Sequence, residues 1–263
     1  MEKTVISNMN LDTAITQTAS LGAHDNIFIA EQHNSTGLSI ADATQMAFEI
    51  FRQYYPQLKD EAMRELRKMI EEKLQKQKPS VIVPPSSRIV VPTLQGASIT
   101  EEDNVRRLYA NLLASAMNKD AKEQVHPAFS KIIEQMSAFD ALLMERIVDI
   151  KDSIPVAHVK FTFETSYLIN VMPHYYSPEF DLLNDNWATS LSIENLSRLQ
   201  LINLFEGTVT SFDYNNFRTY PFVVERFEYA KTHSRNKNLE INISHYTIQL
   251  NDFGTQFARV CMR

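Results

Sequence analysis

The sequence predicts an α+β fold, mostly α: an N-terminal helical domain followed by a winged helix-turn-helix-like domain with an enlarged wing. Three observations predict it. Over residues 40–150 apolar side chains recur at three- and four-residue spacing, the period of an amphipathic helix. From Ile154 the pattern changes, and VAHVKFTFE alternates β-branched or aromatic residues with polar ones, as ISHYTIQL does near the end. The resulting order is helix, strand, helices, strand pair, helix.

Residues 1–38 are polar, poor in long apolar side chains and punctuated by Gly22 and Gly37, which predicts a loosely ordered or weakly helical arm. Ser39 reads as an N-cap with Asp42 as its capping-box-like partner, and Ala43, Met46, Ala47, Ile50, Phe51 and Tyr54 follow at helical spacing. Pro56 interrupts that pattern. A second helix over 57–77 carries Met63, Leu66, Ile70 and Leu74 on one face and a solvated Glu, Lys, Arg and Gln face opposite. The segment KPSVIVPPSSRIVVPTLQG holds Pro79, Pro84, Pro85 and Pro92, and proline fixes φ and removes a donor. Its alternating Val and Ile predict an extended strap over 79–92, laid across a helical core.

Thr100 with Asp103 predicts the next helix start, and Val105, Leu108, Tyr109, Leu112, Leu113, Ala116 and Met117 form its apolar stripe. His126-Pro127 opens another helix, since proline is tolerated in a first turn, and Phe129, Ile132, Ile133 and Met136 continue the spacing. Ser137 with Asp140 repeats the capping pattern before Phe139, Leu142, Leu143, Ile147 and Ile150. Residues 39–150 are therefore the expected helical domain and 151–263 the winged-helix-like one. In the second, Ser177-Pro178-Glu179 opens a short helix, and Ser192 caps IENLSRLQLI, with 192–201 as the recognition-type helix. The section 203–243 is the enlarged wing, with a helix near 216–231, and Asn251 begins the last helix with Phe253, Phe257 and Val260.

Composition narrows the function. A net charge of −6 and pI near 5.7 argue against broad attraction to nucleic acid or anionic membrane. No half is basic: 16 Lys and Arg stand against 20 Asp and Glu up to residue 150, and 10 against 12 after it. The single cysteine, Cys261, excludes an internal disulfide framework and a zinc site built on several thiolates, and fits a reducing cytoplasm. MEKTVISNMNLD holds no apolar core of a secretory signal, and no stretch approaches the length of a membrane span. The expected location is the cytoplasm, without membrane contact.

The five glycines, at 22, 37, 96, 207 and 254, are too scattered for a phosphate-cradling loop or a nucleophile elbow. No cofactor is expected. The histidines lack metal-ligand spacing; His24 and His33, the closest pair, lie in the arm. His126 is expected to be structural, its side chain accepting from a free amide of the first turn or packing nearby. Cys261, on the apolar face of FARVC, is expected to act as a small buried hydrophobe. Arg226 and His233, six residues apart, resemble the Arg-and-His signature of HEPN ribonucleases, in which arginine holds a phosphate and histidine moves a proton.

Aromatics from Phe205 to Tyr229 suit a base-stacking platform, but residues 205–240 hold five basic and five acidic side chains, so wing-core packing is the preferred reading. Lys231, Arg235 and Lys237 cluster without an acid and are the candidate phosphate contacts if nucleic acid binds. On the recognition-type helix, Asn195, Ser197, Arg198 and Gln200 are the candidate interaction surface.

LYANLLASAMN followed by VHPAFSKIIEQMSAFDALL, then IENLSRLQLI, then YTIQLNDFGTQFARVC, resemble the Abi-alpha family, bacterial proteins linked to abortive phage infection. The resemblance spans roughly residues 80–263, and His126-Pro127 and the phenylalanine-and-cysteine ending look like the family pattern. It implies a cytoplasmic protein of phage defence and brings no catalytic residues. The favoured expectation is a non-enzymatic defence protein that recognises a protein partner or itself, as a homodimer, although no self-complementary face is identifiable in the sequence. A winged-helix DNA-binding regulator is the alternative, and a HEPN-like ribonuclease effector the third reading.

Overall fold

The structure, a computed structural model, describes residues 38–55, 60–76, 78, 81–163, 166–168, 171–234 and 238–262. The predicted arm up to residue 37, Pro79, Arg235 and Lys237 lie outside the described residues.

The first helix, α1 (Ile40–Tyr54), begins where the sequence places it: the Asp42 N–H donates to Ser39 Oγ at 3.1 Å. α2 (Asp60–Gln75) and α3 (Ser87–Ile99) follow, and both pack on α4 (Asp103–Ala116). α4 also touches α5 (Phe129–Glu134), α6 (Ala138–Ile150) and α9 (Asp252–Cys261), and it is buried almost all round, from Val105 to Ala116. A helix so enclosed must be apolar on most faces, which explains the unbroken stripe in its sequence. α6 carries a complete capping box between Ser137 and Asp140.

The strap over 79–92 is corrected. Among the described residues of this segment only 82–86 run extended, with Ile82 bridged to Asn118 and the Val83 N–H donating to the Met117 carbonyl at 2.8 Å. From Ser87 the chain is helical, with Pro92 inside the helix. Proline forfeits one helical hydrogen bond there, but Ile89, Val90, Thr93, Leu94 and Ala97 bury one continuous face, and that burial outweighs the local preference. Gly96 lies on this face. A Cβ there would come within 2.3 Å of the buried Tyr109 hydroxyl, so glycine sets the close approach of α3 to α4. Thr100 does not open α4; it ends α3, its hydroxyl donating to the Gly96 carbonyl at 2.8 Å.

The second half supplies one antiparallel sheet of four strands: β1 (Ile154–Phe163), β2 (Ser166–Leu168), β3 (Ile202–Glu206) and β4 (Glu240–Leu250), in the order β2-β1-β4-β3. In register, Val156 faces Tyr246 and Leu204 faces Ile248. Alternation divides β1 between two cores. Ile154 and Val156 join the large core shared by α1 to α6, α7 and α9, while Ala157, Val159 and Phe161 join a smaller aromatic one with Tyr176, Tyr214, Phe217 and Val223. The large core thus runs across both predicted segments, and the described residues form one compact unit.

Between β2 and β3 lie a 3-10 turn, Pro178–Leu183, and α7 (Asn186–Arg198). α7 opens six residues before the predicted Ser192 cap: Asp185 is the true N-cap, accepting from the Trp187 and Ala188 amides, and Ser192 is buried inside the helix. The helix expected over 192–201 therefore runs over 186–198. The 203–243 section contains a 3-10 turn over Tyr214–Thr219 and α8 (Pro221–His233) before β4 returns to the sheet. α9 closes the chain on Asn251, whose side chain accepts from the Gly254 amide.

Candidate functional site

A groove of about 450 Å³ opens where the helix-facing side of β1 runs out from under the large core. Along that side of β1, Ile154 and Val156 are buried, and the next two positions, His158 and Lys160, line the groove. The opposite wall is α7, which presents Trp187, Leu191 and Glu194 at helical spacing. The Asp185 cap fixes the first turn and therefore Trp187. The inner face of α7, with Thr189, Ser190, Ser192, Ile193 and Leu196, is buried, so the Trp187 side must face outward. Trp187 is 45% and Leu191 69% exposed, which leaves two large apolar side chains beside each other on open helix surface.

The end of the groove is an aromatic and imidazole row. The His158 and His174 rings lie 4.2 Å apart, His174 stacks on Tyr175 at 4.4 Å, and Tyr175 meets the edge of Tyr246 at 5.3 Å. The Tyr246 hydroxyl donates to Glu206 at 3.1 Å, and His174 Nδ1 lies 3.5 Å from Glu194 Oε1. The Tyr175 amide donates to Ser190 Oγ at 2.9 Å, which ties the row to α7. Burial, then the His174 and Lys160 charges, lower the His158 pKa to about 4, so the ring is neutral near pH 7. Burial also raises the Tyr175 hydroxyl above its ordinary value. The arrangement offers an apolar ledge, a neutral imidazole with one donor and one acceptor, and a carboxylate. Such groups have the chemistry to hydrogen-bond and pack against a side chain. Among the described residues no three His, Cys, Asp or Glu side chains gather as metal ligands.

A second depression, about 440 Å³, lies where α6 ends against α9, with Lys151, Asp152, Ser153, Gln249, Thr255 and Arg259 along it. It has no comparable apolar ledge, and Gln249 and Ser153 already bond each other at 2.8 Å.

The residues singled out from the sequence fall elsewhere. Asn195 donates to the Gln135 carbonyl at 3.1 Å and to Asp140 at 2.8 Å; Arg198 donates to Gln135 Oε1 at 2.9 Å and to Asn195 Oδ1 at 2.7 Å. These two side chains stitch α7 to the joint between α5 and α6. The Ser197 carbonyl receives the Gln200 amide at 3.0 Å, and Gln200 adopts φ 59°, so both shape the turn into β3. None of the four lines the groove.

Arg226 and His233 share one face of α8 and both lie against the Tyr229 ring, the guanidinium 5.0 Å and the imidazole 4.1 Å from its centre. Arg226 Nε also donates to the Val171 carbonyl at 2.8 Å, and His233 Nδ1 to the Tyr229 carbonyl at 2.9 Å. Lys231 sits exposed in the last turn of α8, while Arg235 and Lys237 are outside the described residues. His126 Nδ1 accepts from the Ala128 amide at 3.1 Å just after Pro127, and its ring packs on Phe129 and Phe253. Cys261 is buried, and burial raises its thiol well above the ordinary range.

Sequence reasoning missed His158, His174, Trp187, Leu191 and Glu194. A signal existed for part of this set. Trp187 is the only tryptophan in the chain, and with Leu191 and Glu194 it keeps helical spacing once the helix start is moved to Asp185. His174 sits in an irregular segment, where spacing carries no such signal.

A family model described as abortive infection alpha matches residues 58–261. No curated protein and no solved structure matches the chain.

Proposed function

The chain belongs to the abortive infection alpha family, a family of abortive-infection-type phage defence, and from that membership we propose that it acts by recognising a protein partner through the α7 groove, without catalysis of its own. The supporting observation is the pair Trp187 and Leu191, exposed side by side beside the neutral His158 and the His174–Glu194 pair. Exposed tryptophan next to aliphatic surface and a few fixed polar groups is the composition of a binding hot spot. We read the 151–263 segment, led in by α6, as a winged helix-turn-helix used as an interaction module, a reading that the order of elements and the β1-β4-β3 strand order support. Its DNA-reading use is disfavoured because Asn195 and Arg198 are engaged within the chain and the net charge is −6.

No helix among the described residues is long and apolar enough to cross a membrane. With a single buried cysteine, this supports placing the protein in the cytoplasm.

Phage challenge of cells carrying Trp187→Ala with Leu191→Ala tests the reading. Protection should vanish while the purified variant keeps its melting temperature; protection equal to the native chain refutes it. A ribonuclease reading has one observation in its favour, the shared position of Arg226 and His233 on Tyr229. It predicts RNA cleavage that disappears in His233→Ala.

A further inference from the structure

We propose that the outer edge of β3 is a self-association edge, and that its occupant is β3 of a second copy of this chain, paired antiparallel about a two-fold axis at Leu204. β3 ends the sheet on the side opposite β2. The Gly207 amide donates to the His245 carbonyl at 3.1 Å, so by the alternation of an antiparallel ladder Asn203 and Phe205 also bond inward to β4. Leu204 and Glu206 therefore turn their N–H and C=O groups outward. The opposite parity on β1 agrees with this, since Ala157 exchanges both of its bonds with Tyr176 across the other side. Among the described residues no group bonds the backbone of Leu204 or Glu206 from outside the sheet.

Natural edges are blunted by lysine, proline, a bulge or extreme shortness. β2 is cut to three residues, but β3 is five residues long, INLFE, with no lysine or proline. Its one charge, Glu206, accepts from the Tyr246 hydroxyl of the neighbouring strand. Phe205 beside it is 42% exposed.

The strand can pair with its own copy without opposing like charges. Centred on Leu204, the register sets Leu204 against Leu204, Ile202 against Glu206 and Asn203 against Phe205. The single carboxylate thus faces an isoleucine rather than its own copy, and the outward-facing residues of one strand meet those of the other, as hydrogen-bonded pairs require. An edge contact alone is small, so the dimer should be weak and depend on concentration. The α7 groove is lined from β1 and α7; Glu206 meets only the Tyr246 end of its aromatic row and does not line it, so phage protection reports on one proposal and sedimentation on the other.

Sedimentation velocity of the full chain over a concentration series, up to roughly 200 μM, tests the proposal. The native protein should pass from monomer to dimer. Glu206→Pro, whose lost N–H points outward and costs no internal ladder bond, should weaken the dimer about tenfold or more, since symmetry removes two bonds. Asn203→Cys with Phe205→Cys in one chain should form a disulfide-linked dimer on mild oxidation, because those positions face each other roughly 4.5 Å apart at Cα. Cys261 is buried and does not compete. A native chain that stays monomeric, a dimer indifferent to Glu206→Pro, or absence of the cross-link overturns the proposal. If Glu206→Pro loses its thermal transition, the cross-link decides alone.

Discussion

Asn111 on α4 donates from Nδ2 to the backbone carbonyl of Cys261 at 2.8 Å, across 150 residues of sequence and inside the core. One turn later, Ser115 donates to the carbonyl of Val260 at 2.9 Å. The last carbonyls of a helix have no partner within it. α4 supplies two of them with side chains, and so locks the end of α9 to the central helix.

Asn111→Ala should therefore destabilise the fold by about 2–3 kcal/mol, because it strands a buried carbonyl and leaves a gap. Ser115→Ala should cost about 1 kcal/mol. Urea denaturation of both variants checks the order; an Asn111→Ala midpoint equal to the native one would mean the bond carries no stability.

Gly254 is the second point where α9 is held. A Cβ there would meet the Leu201 carbonyl oxygen at 1.8 Å, a backbone atom that cannot swing aside. Gly254→Ala should cost about 3 kcal/mol or more and lower the melting temperature by several degrees, read by circular dichroism.

His158 makes stability depend on pH. Its folded pKa is about 4, against 6.5 ordinarily, so between those values the unfolded chain binds more protons than the folded one. Stability should fall as the pH drops from about 6.5 toward 4, and this group adds no further loss below that window. His174 and Lys160 act on the same ring, Glu194 pairs with His174, and all three remain in a His158→Gln variant. That variant should lose less stability than the native chain between pH 7 and pH 5, by roughly 1 kcal/mol after screening of a partly exposed ring. Parallel pH profiles would exclude His158 as the source.

Arg198→Ala should leave DNA affinity unchanged in a gel shift and cost about 0.5 kcal/mol of stability, because the guanidinium bonds Gln135 and Asn195 at an exposed joint. A loss of salt-sensitive DNA binding in this variant would restore the regulator reading.

The Cys261 thiol, buried and raised well above its ordinary pKa, should resist a thiol reagent in the folded protein and react fully in denaturant. Fast labelling of the native chain would show that the end of α9 opens readily.

Side-chain periodicity was enough for the helical stripes, the switch to alternation after Ile154 and the caps at Ser39, Ser137 and Asn251, because these depend on neighbours a few residues apart. Burial patterns along one segment are written in that segment. Pro92 misled because the cost of a proline is local, while the burial of Ile89, Val90 and Leu94 that outweighs it comes from α1, α4 and α5. Ser192 misled for a similar reason: a serine suits a cap, but here it is packed inside α7. The groove was decided only by tertiary structure, which brings His158, His174 and Glu194 together from a strand, an irregular segment and a helix. So was the open edge of β3, since which strand lies outermost is a property of sheet order. No local preference encodes it.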